Sequence, residues 1–114
     1  MRDKIMEVGK ENCYVSIISI SELYYGASNS GRKEERIKDI FLINSLFKTK
    51  NLTAKIVELY GDIKADFRRN GTLVDDFDIL IAATAIINNF TVVTNNTKHF
   101  FRVPGIKLED WREE

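Results

Sequence analysis

The chain has 114 residues, of which 44% are apolar and 30% charged, a composition typical of an ordinary globular protein. Lys and Arg together number 17, as do Asp and Glu, so the net charge is zero and no overall field holds a long nucleic acid non-specifically. The single cysteine, Cys13, excludes an internal disulfide, and the single histidine, His99, cannot by itself build a zinc site. We therefore expect one domain over residues 1–114, in which any metal is bound by oxygen ligands.

The amino-terminal stretch MRDKIMEVGKEN carries charges where a signal peptide has an apolar run. No window of the sequence approaches the roughly 18 apolar residues of a membrane span. The sequence thus predicts a cytoplasmic protein without a membrane partner.

The first two thirds of the chain predict one strand followed by three helices. The β-branched and aromatic run Tyr14–Ile18 predicts a buried strand that passes directly into a helix over 19–27 (SISELYYGA). Apolar residues at helical spacing predict two amphipathic helices, over 32–48 and 53–69. Asn70-Gly71 is a typical helix stop, because glycine accepts the left-handed conformation that closes a helix.

The last third predicts one buried helix and two strands. Residues 78–87 (DILIAATAII) are apolar on almost every side, which is typical of a helix buried against a sheet. Thr91–Thr94 predicts a buried strand, and residues 106–108, after the Pro104-Gly105 turn, predict a short final one. The alternation predicts an α/β fold with a central, mainly parallel sheet flanked by helices.

Polar residues follow the predicted strands or begin the helices that run back to them. In a parallel sheet with helical crossovers all strands end at one edge, and ligands bind there. Glu22 comes shortly after the first strand, in the opening turn of the next helix. The residues expected to converge at this edge are Glu22, Asp75, Asp76, Asp78, Asn95 and Asn96.

Carboxylates that lie close together repel one another, and a cation between them keeps them charged. Mg²⁺ and Mn²⁺ prefer carboxylate oxygens and water, and Mg²⁺ retains several waters that can meet substrate phosphates. A site of this kind orients a water and stabilises the charge that develops on a phosphate. Phosphodiester cleavage is the matching reaction class.

Each candidate acid also has a structural interpretation. Residues 19–22 (SISE) match a Ser-x-x-Glu capping box, in which Glu22 bonds back to the start of the helix. Asp75 and Asp76 are ordinary cap and first-turn residues, and Asn95-Asn96 are typical of turns. Asp78 is harder to explain structurally, because it immediately precedes a wholly apolar helix.

The remaining candidates divide in the same way. Arg68 and Arg69 either complement the dipole at the end of their helix or contact RNA phosphates. His99 is interpreted as a packing residue, since it has no metal or nucleophile partner of its own kind. Cys13 is interpreted as a small core residue, because no second histidine is available to activate it as a nucleophile.

Three motifs in order resemble the VapC-type PIN-domain ribonucleases, over nearly everything from residue 12 to residue 111. YVSIISISELYYGA looks like the family's strand and helix that bring in a metal-binding glutamate, which falls on Glu22. DFDILIAATAI is similar to its Asp-x-x-Ile-Ala-Ala-x-Ala helix, whose leading aspartate is a metal ligand and falls on Asp78. VVTNNTKHF and VPGIKLEDW resemble its carboxyl-terminal signature, whose active-site position falls on Asn96.

The resemblance implies a PIN-like three-layer α/β fold and Mg²⁺ or Mn²⁺ held by Glu22 and Asp78. It implies endoribonuclease cleavage of RNA, with tRNA as a candidate substrate, by the toxin of a toxin–antitoxin system. Its further implications are a homodimer and a cognate antitoxin protein as partner.

Two features depart from the family pattern. Asn96 stands where many members have a fourth acid, which weakens one metal contact. The family opens with a strand that ends in the first catalytic aspartate, and no such segment precedes MRDKIMEVGKEN; Asp3 follows no apolar strand. The expected fold therefore lacks its amino-terminal strand, and it either exposes apolar surface at Ile17, Val92 and around Ile86 or leaves a gap between the neighbours of the missing strand.

These departures leave two alternatives to the enzyme. One is a catalytically impaired PIN domain that acts as a dimerisation or antitoxin-binding module, since two protein carboxylates make a poor cage for magnesium. The other is a structural α/β subunit without a metal.

Overall fold

The computed structural model describes residues 2–94, 97–100 and 102–111, apart from the side chain of His99. The chain divides into two compact units, Met1–Asn51 and Leu52–Glu114. Within the described ranges, none of the helices combines the length and the apolar character that crossing a membrane requires.

The first unit is built around one parallel strand pair and two packed helices. Its elements are α1 (Arg2–Val8), a 3-10 turn (Lys10–Asn12), β1 (Tyr14–Ser16), α2 (Ile17–Ser28), α3 (Lys33–Leu46) and β2 (Lys48–Lys50). β1 and β2 run parallel, with Val15 opposite Thr49. Helices α2 and α3 pack through the buried residues Ile20, Ala27 and Ile40.

Helix α2 begins two residues earlier than the sequence predicted. Ser16 is its N-cap, and the Ser16 hydroxyl accepts a hydrogen bond from the backbone N–H of Ile18 at 3.1 Å. A serine cap satisfies a helix donor that would otherwise lack a partner, and this outweighs the strand preference of the two isoleucines that follow. The capping box at residues 19–22 is therefore wrong, and Glu22 lies in the second turn of α2 rather than the first.

Strand β2 was not predicted. The helix expected over 32–48 ends at Leu46, and the strand follows at Lys48–Lys50. The sequence of β2, Lys-Thr-Lys, has no apolar alternation that would mark a strand. Its backbone pairs with β1, and the Lys50 ammonium lies 5.0 Å from the ring centre of Tyr14, within the range of a cation–π contact.

The second unit consists of two long helices and a second parallel strand pair. Its elements are α4 (Ala54–Arg69), α5 (Asp76–Asn88), β3 (Thr91–Val93), α6 (Thr97–Phe100) and β4 (Lys107–Glu109). β3 and β4 run parallel, with Val92 opposite Leu108, and the N–H of Thr94 donates to the carbonyl of Glu109 at 3.0 Å. The parallel pairing, both long helices and the stop at Asn70-Gly71 confirm the sequence predictions.

The core of the second unit lies where α4 packs on α5. Ala82 and Ala83 are fully buried, so small side chains let the two helices approach closely. Val92 is only 9% exposed because it joins this cluster, so the expectation that it would be exposed is wrong. Ile17 and Ile86 are half-buried. The buried cluster comprises Ile56, Ile63, Phe67, Ile79, Ala82, Ala83, Ala85, Val92, Phe100 and Val103.

Candidate active site

Glu22 lies on the exposed side of α2. At a rise of 1.5 Å per residue it is about 9 Å along the helix from the cap at Ser16. One turn later stands Gly26, where an added methyl group meets no described atom within 4 Å. Helical side chains tilt toward the amino terminus, so a larger residue at this position would lie over Glu22. Gly26 therefore places no side chain of its own over Glu22.

Asp78 is half-buried in the first turn of α5. Its neighbour Phe77 is 44% exposed, whereas Ile79 is 1% exposed, so Asp78 stands at the boundary between surface and core. The amino terminus of a helix favours negative charge through its dipole. The helix dipole therefore favours a negatively charged side chain at this position.

Asp75 is the N-cap of α5, which confirms the structural interpretation of this residue. Its carboxylate oxygen accepts a hydrogen bond from the N–H of Phe77 at 2.8 Å. Its carbonyl accepts the first intrahelical bond, from the N–H of Ile79 at 3.1 Å. Asp75 therefore has a complete structural role at this turn.

Replacing Asp75 by Ala is expected to lower the free energy of unfolding by about 1 kcal/mol, because one helix donor loses its acceptor. Asp75→Asn keeps an equally good cap, so its unfolding free energy should stay within a few tenths of a kcal/mol of the original. Urea denaturation followed by circular dichroism measures both. Equal losses in the two variants would contradict the capping role.

Asp76 is held by two residues of α4. Its Oδ1 accepts a hydrogen bond from the hydroxyl of Tyr60 at 3.0 Å and is 2.8 Å from the ammonium of Lys64. The Lys64 ammonium also donates to the Tyr60 hydroxyl at 3.4 Å. Sequence reasoning missed this cluster. The spacing of Tyr60 and Lys64 places them on one helix face, but only the packing of α4 on α5 brings Asp76 against them.

The cluster holds both charged groups ionised at neutral pH. The hydrogen bond from Lys64, followed by that from Tyr60, lowers the pKa of Asp76 below its usual value. The hydrogen bond to Asp76, followed by that to Tyr60, raises the pKa of Lys64. Asp76 therefore links α5 to α4 through Tyr60 and Lys64.

The donor chemistry suits a divalent ion, but the described residues do not assemble a complete cage. Glu22 and Asp78 offer the carboxylate oxygens that Mg²⁺ and Mn²⁺ prefer. Over residues 2–94, 97–100 and 102–111, no three His, Cys, Asp or Glu side chains lie close enough together to hold a metal ion. Glu22 belongs to the first unit and Asp78 to the second.

Asn95, Asn96 and the side chain of His99 lie outside the described residues. The pairing of Thr94 with Glu109 continues the predicted strand up to the residue before Asn95. The role of Asn96 stays a prediction.

Arg68 and Arg69 lie in the last turn of α4, and both are exposed. The Arg69 guanidinium forms an ion pair with Asp66, one turn earlier on the same helix. Basic groups at a helix carboxyl end also complement the dipole, so Arg69 has a structural partner. An RNA contact by either arginine stays a prediction.

Cys13 lines an open cleft of about 950 Å³ in the first unit. Its thiol donates to the carbonyl of Gly9 at 3.6 Å. Burial raises the pKa of the Cys13 thiol, and the nearby carboxylate of Glu11 raises it further. A raised pKa favours the protonated thiol, which is a poor nucleophile. Cys13 is half-buried and belongs to neither buried cluster, so it is not the small core residue that the sequence predicted.

Parallel strand pairs covered by helices, with acidic residues early on two of those helices, define an α/β protein of the kind that binds ligands beyond its strand ends. A family model described as the PIN domain matches residues 2–106. The chain belongs to the PIN-domain family, and its relatives place it among the VapC-type members.

Over the aligned residues, the curated relatives are about a third identical to this chain. It is 36% identical over 97 residues to "Ribonuclease VapC2" of Rickettsia felis, and the aligned residues cover 85% of this chain and 72% of the relative. It is 35% identical over 97 residues to "tRNA(fMet)-specific endonuclease VapC" of Salmonella typhimurium, covering 85% and 74%. It is 35% identical over 109 residues to "Ribonuclease VapC1" of Methanocaldococcus jannaschii, covering 94% and 76%.

Solved structures give the same family likeness. DNA-bound VapBC from Salmonella typhimurium matches with a TM-score of 0.90 at 32% identity, over 97% of this chain and 83% of that chain. VapBC2 from Rickettsia felis, bound to a promoter DNA fragment, matches with a TM-score of 0.88 at 33% identity, over 97% and 84%. The α/β PIN fold expected from the sequence is confirmed.

Proposed function

We propose that this chain is a metal-dependent endoribonuclease, the toxin of a VapBC-type toxin–antitoxin system, working as one domain over residues 1–114. The observation that carries the proposal is the likeness over 85% of the chain to proteins named as a ribonuclease and a tRNA-specific endonuclease. The three motifs around Glu22, Asp78 and Asn96 locate that likeness at the proposed site.

Glu22 and Asp78 are the proposed ligands of Mg²⁺ or Mn²⁺, and Asn96 helps to place the attacking water or the substrate phosphate. A divalent ion in such a site lowers the pKa of a bound water and offsets charge on the phosphate. Helices α2 and α5 carry the two carboxylates, and the open space at Gly26, one turn after Glu22, suits a bulky substrate.

RNA is the proposed substrate, and tRNA is the first RNA to test because one relative is named as specific for tRNA(fMet). Arg68 and Arg69 are proposed phosphate contacts. A cognate antitoxin is the proposed protein partner, since the solved relatives are VapBC assemblies. A homodimer and a cytoplasmic location complete the proposal.

The experiment is cleavage of tRNA by the purified chain with Mg²⁺, with Mn²⁺ and with a chelator. We expect defined fragments with either metal and intact RNA with the chelator. Size-exclusion chromatography with light scattering, run on the same sample, shows whether the chain is folded and dimeric.

A folded chain that leaves RNA intact at every metal concentration would contradict the enzyme proposal. If that chain still bound its antitoxin tightly, the catalytically impaired PIN module would take its place. A melting temperature that rises with Mn²⁺ would exclude the structural subunit without a metal.

A further inference from the structure

Tyr60 and Lys64 of α4 contact Asp76 of α5, which lies two residues before Asp78 in the chain. We propose that Tyr60 and Lys64 are positioning residues for Asp78, because they fix the first turn of the helix from which Asp78 projects. This inference rests on the proposed function of Asp78 as a metal ligand.

The side chains of Tyr60, Lys64 and Asp76 connect α4 to α5, and we call this cluster the clamp. Tyr60 and Lys64 are one turn apart on α4, and both reach the same oxygen, Oδ1 of Asp76, at 3.0 and 2.8 Å. Their own contact at 3.4 Å closes the cluster, so each of the three polar groups touches the other two. By contrast, the pair of Arg69 and Asp66 joins two residues of one helix and cannot fix another.

Tyr60 makes the clamp rigid. It is half-buried and packs against the core cluster of the second unit, while its hydroxyl reaches Asp76 at the surface. Asp76 is therefore tied to the core through an aromatic side chain with two rotatable bonds, as well as to the long flexible chain of Lys64.

The first turn of α5 needs such support. The first four N–H groups of a helix have no intrahelical acceptor, so this turn frays most readily. The cap at Asp75 satisfies one of them. In the segment that enters the helix, Leu73 is 95% exposed and only Val74 packs against the core cluster. Without the clamp, the turn is held by the Asp75 cap and by the packing of Val74 and Ile79.

Asp78 stands between two anchors. Asp76 on one side is clamped to α4, and Ile79 on the other is 1% exposed in the core. Residues two apart on a helix do not face each other, so the clamp acts on Asp78 through the backbone of the turn. A misplacement of about 1 Å at a reacting centre can lower a rate about a hundredfold, so backbone freedom here should reduce turnover.

The test uses Tyr60→Phe, which removes only the hydroxyl, and Lys64→Met, which removes the charge and keeps most of the stem. Lys55→Met is the matched control, because Lys55 is an exposed lysine in the first turn of the same helix. Two quantities are measured: kcat and KM for RNA cleavage, and hydrogen exchange at the amides of residues 77–79.

We expect kcat to fall about tenfold in Tyr60→Phe and Lys64→Met, with KM nearly unchanged and with several-fold faster exchange at residues 77–79. The melting temperature should hardly move, because exposed ion pairs contribute little to global stability. Lys64→Arg, which keeps a charged donor, should retain most of the turnover, and Lys55→Met should behave like the original chain.

An unchanged kcat in Lys64→Met, or an equal fall in Lys55→Met, overturns the positioning role. If the original chain cuts no RNA, the proposed function fails and the exchange rates alone decide this inference. Faster exchange at residues 77–79 in both clamp variants then supports the clamp, and unchanged exchange overturns it.

Discussion

Asp78→Ala is expected to lower the kcat of metal-dependent RNA cleavage by about a thousandfold. A divalent ion contributes several kcal/mol to a phosphoryl transition state, and each 1.36 kcal/mol or so is a factor of ten in rate. Removing one of two proposed carboxylate ligands therefore removes most of the effect of the ion. Single-turnover cleavage of a labelled tRNA at saturating Mn²⁺ measures the loss.

The matched control for this variant is Asp75→Asn. Asp75 lies in the same turn, three residues earlier, and asparagine keeps its cap to the N–H of Phe77. We expect Asp75→Asn to cut RNA at nearly the original rate, and Glu22→Ala to lose activity as Asp78→Ala does. If Asp75→Asn and Asp78→Ala were equally impaired, general loss of charge at the turn would explain both, and the assignment of Asp78 would fail.

Ile79→Ala is expected to lower the free energy of unfolding by about 2–5 kcal/mol, the range for truncating a large buried aliphatic side chain. Ile79 is 1% exposed and lies in the core cluster between α4 and α5. The loss combines the transfer free energy of the missing groups with the cavity that they leave. Urea denaturation followed by tryptophan fluorescence and circular dichroism measures it.

Leu73→Ala is the control for Ile79→Ala, since Leu73 is 95% exposed and has almost no surface to lose on truncation. Its unfolding free energy should stay within about 0.5 kcal/mol of the original. Similar losses in the two variants would show that α5 does not pack as described. Because Ile79 follows Asp78 directly, activity of Ile79→Ala should be measured well below its unfolding midpoint.

Asp78→Ala and Ile79→Ala distinguish the loss of a proposed metal ligand from the loss of core packing within one turn of α5. Asp78→Ala removes a carboxylate at the surface boundary, and Ile79→Ala removes an anchor in the core. We expect the first to lose activity at nearly constant stability, and the second to lose stability first. A stable but inactive Asp78→Ala places its defect in the site itself.

Local signals in the sequence were sufficient for much of the second unit. Apolar periodicity over 53–69 and the stop at Asn70-Gly71 predicted α4, and the structure adds a cap at Thr53, whose hydroxyl accepts from the N–H of Ile56 at 3.3 Å. The apolar run after Asp78 predicted α5, and the cap at Asp75 was among the interpretations considered. Caps and helical periodicity act over a few residues, so they can be recognised without knowing what packs against them.

Competing local signals were not sufficient for the start of α2. Ser16 and Ser19 are both plausible caps, and the pattern favoured the later one because isoleucines between them suit a strand. The pairing of Ser16 with Lys50 ends the strand at Ser16, where the hydroxyl caps the helix. This pairing required β2, whose Lys-Thr-Lys sequence carries no strand pattern of its own.

The sequence by itself determined the α/β class, the PIN-family motifs, and the positions of Glu22 and Asp78 on helices, because these depend on short-range pattern and residue type. Only the tertiary structure decided the strand β2 and the contacts of Asp76 with Tyr60 and Lys64. Each of these depends on contacts between elements that are distant in the chain, and such contacts leave no local pattern in the residues that make them.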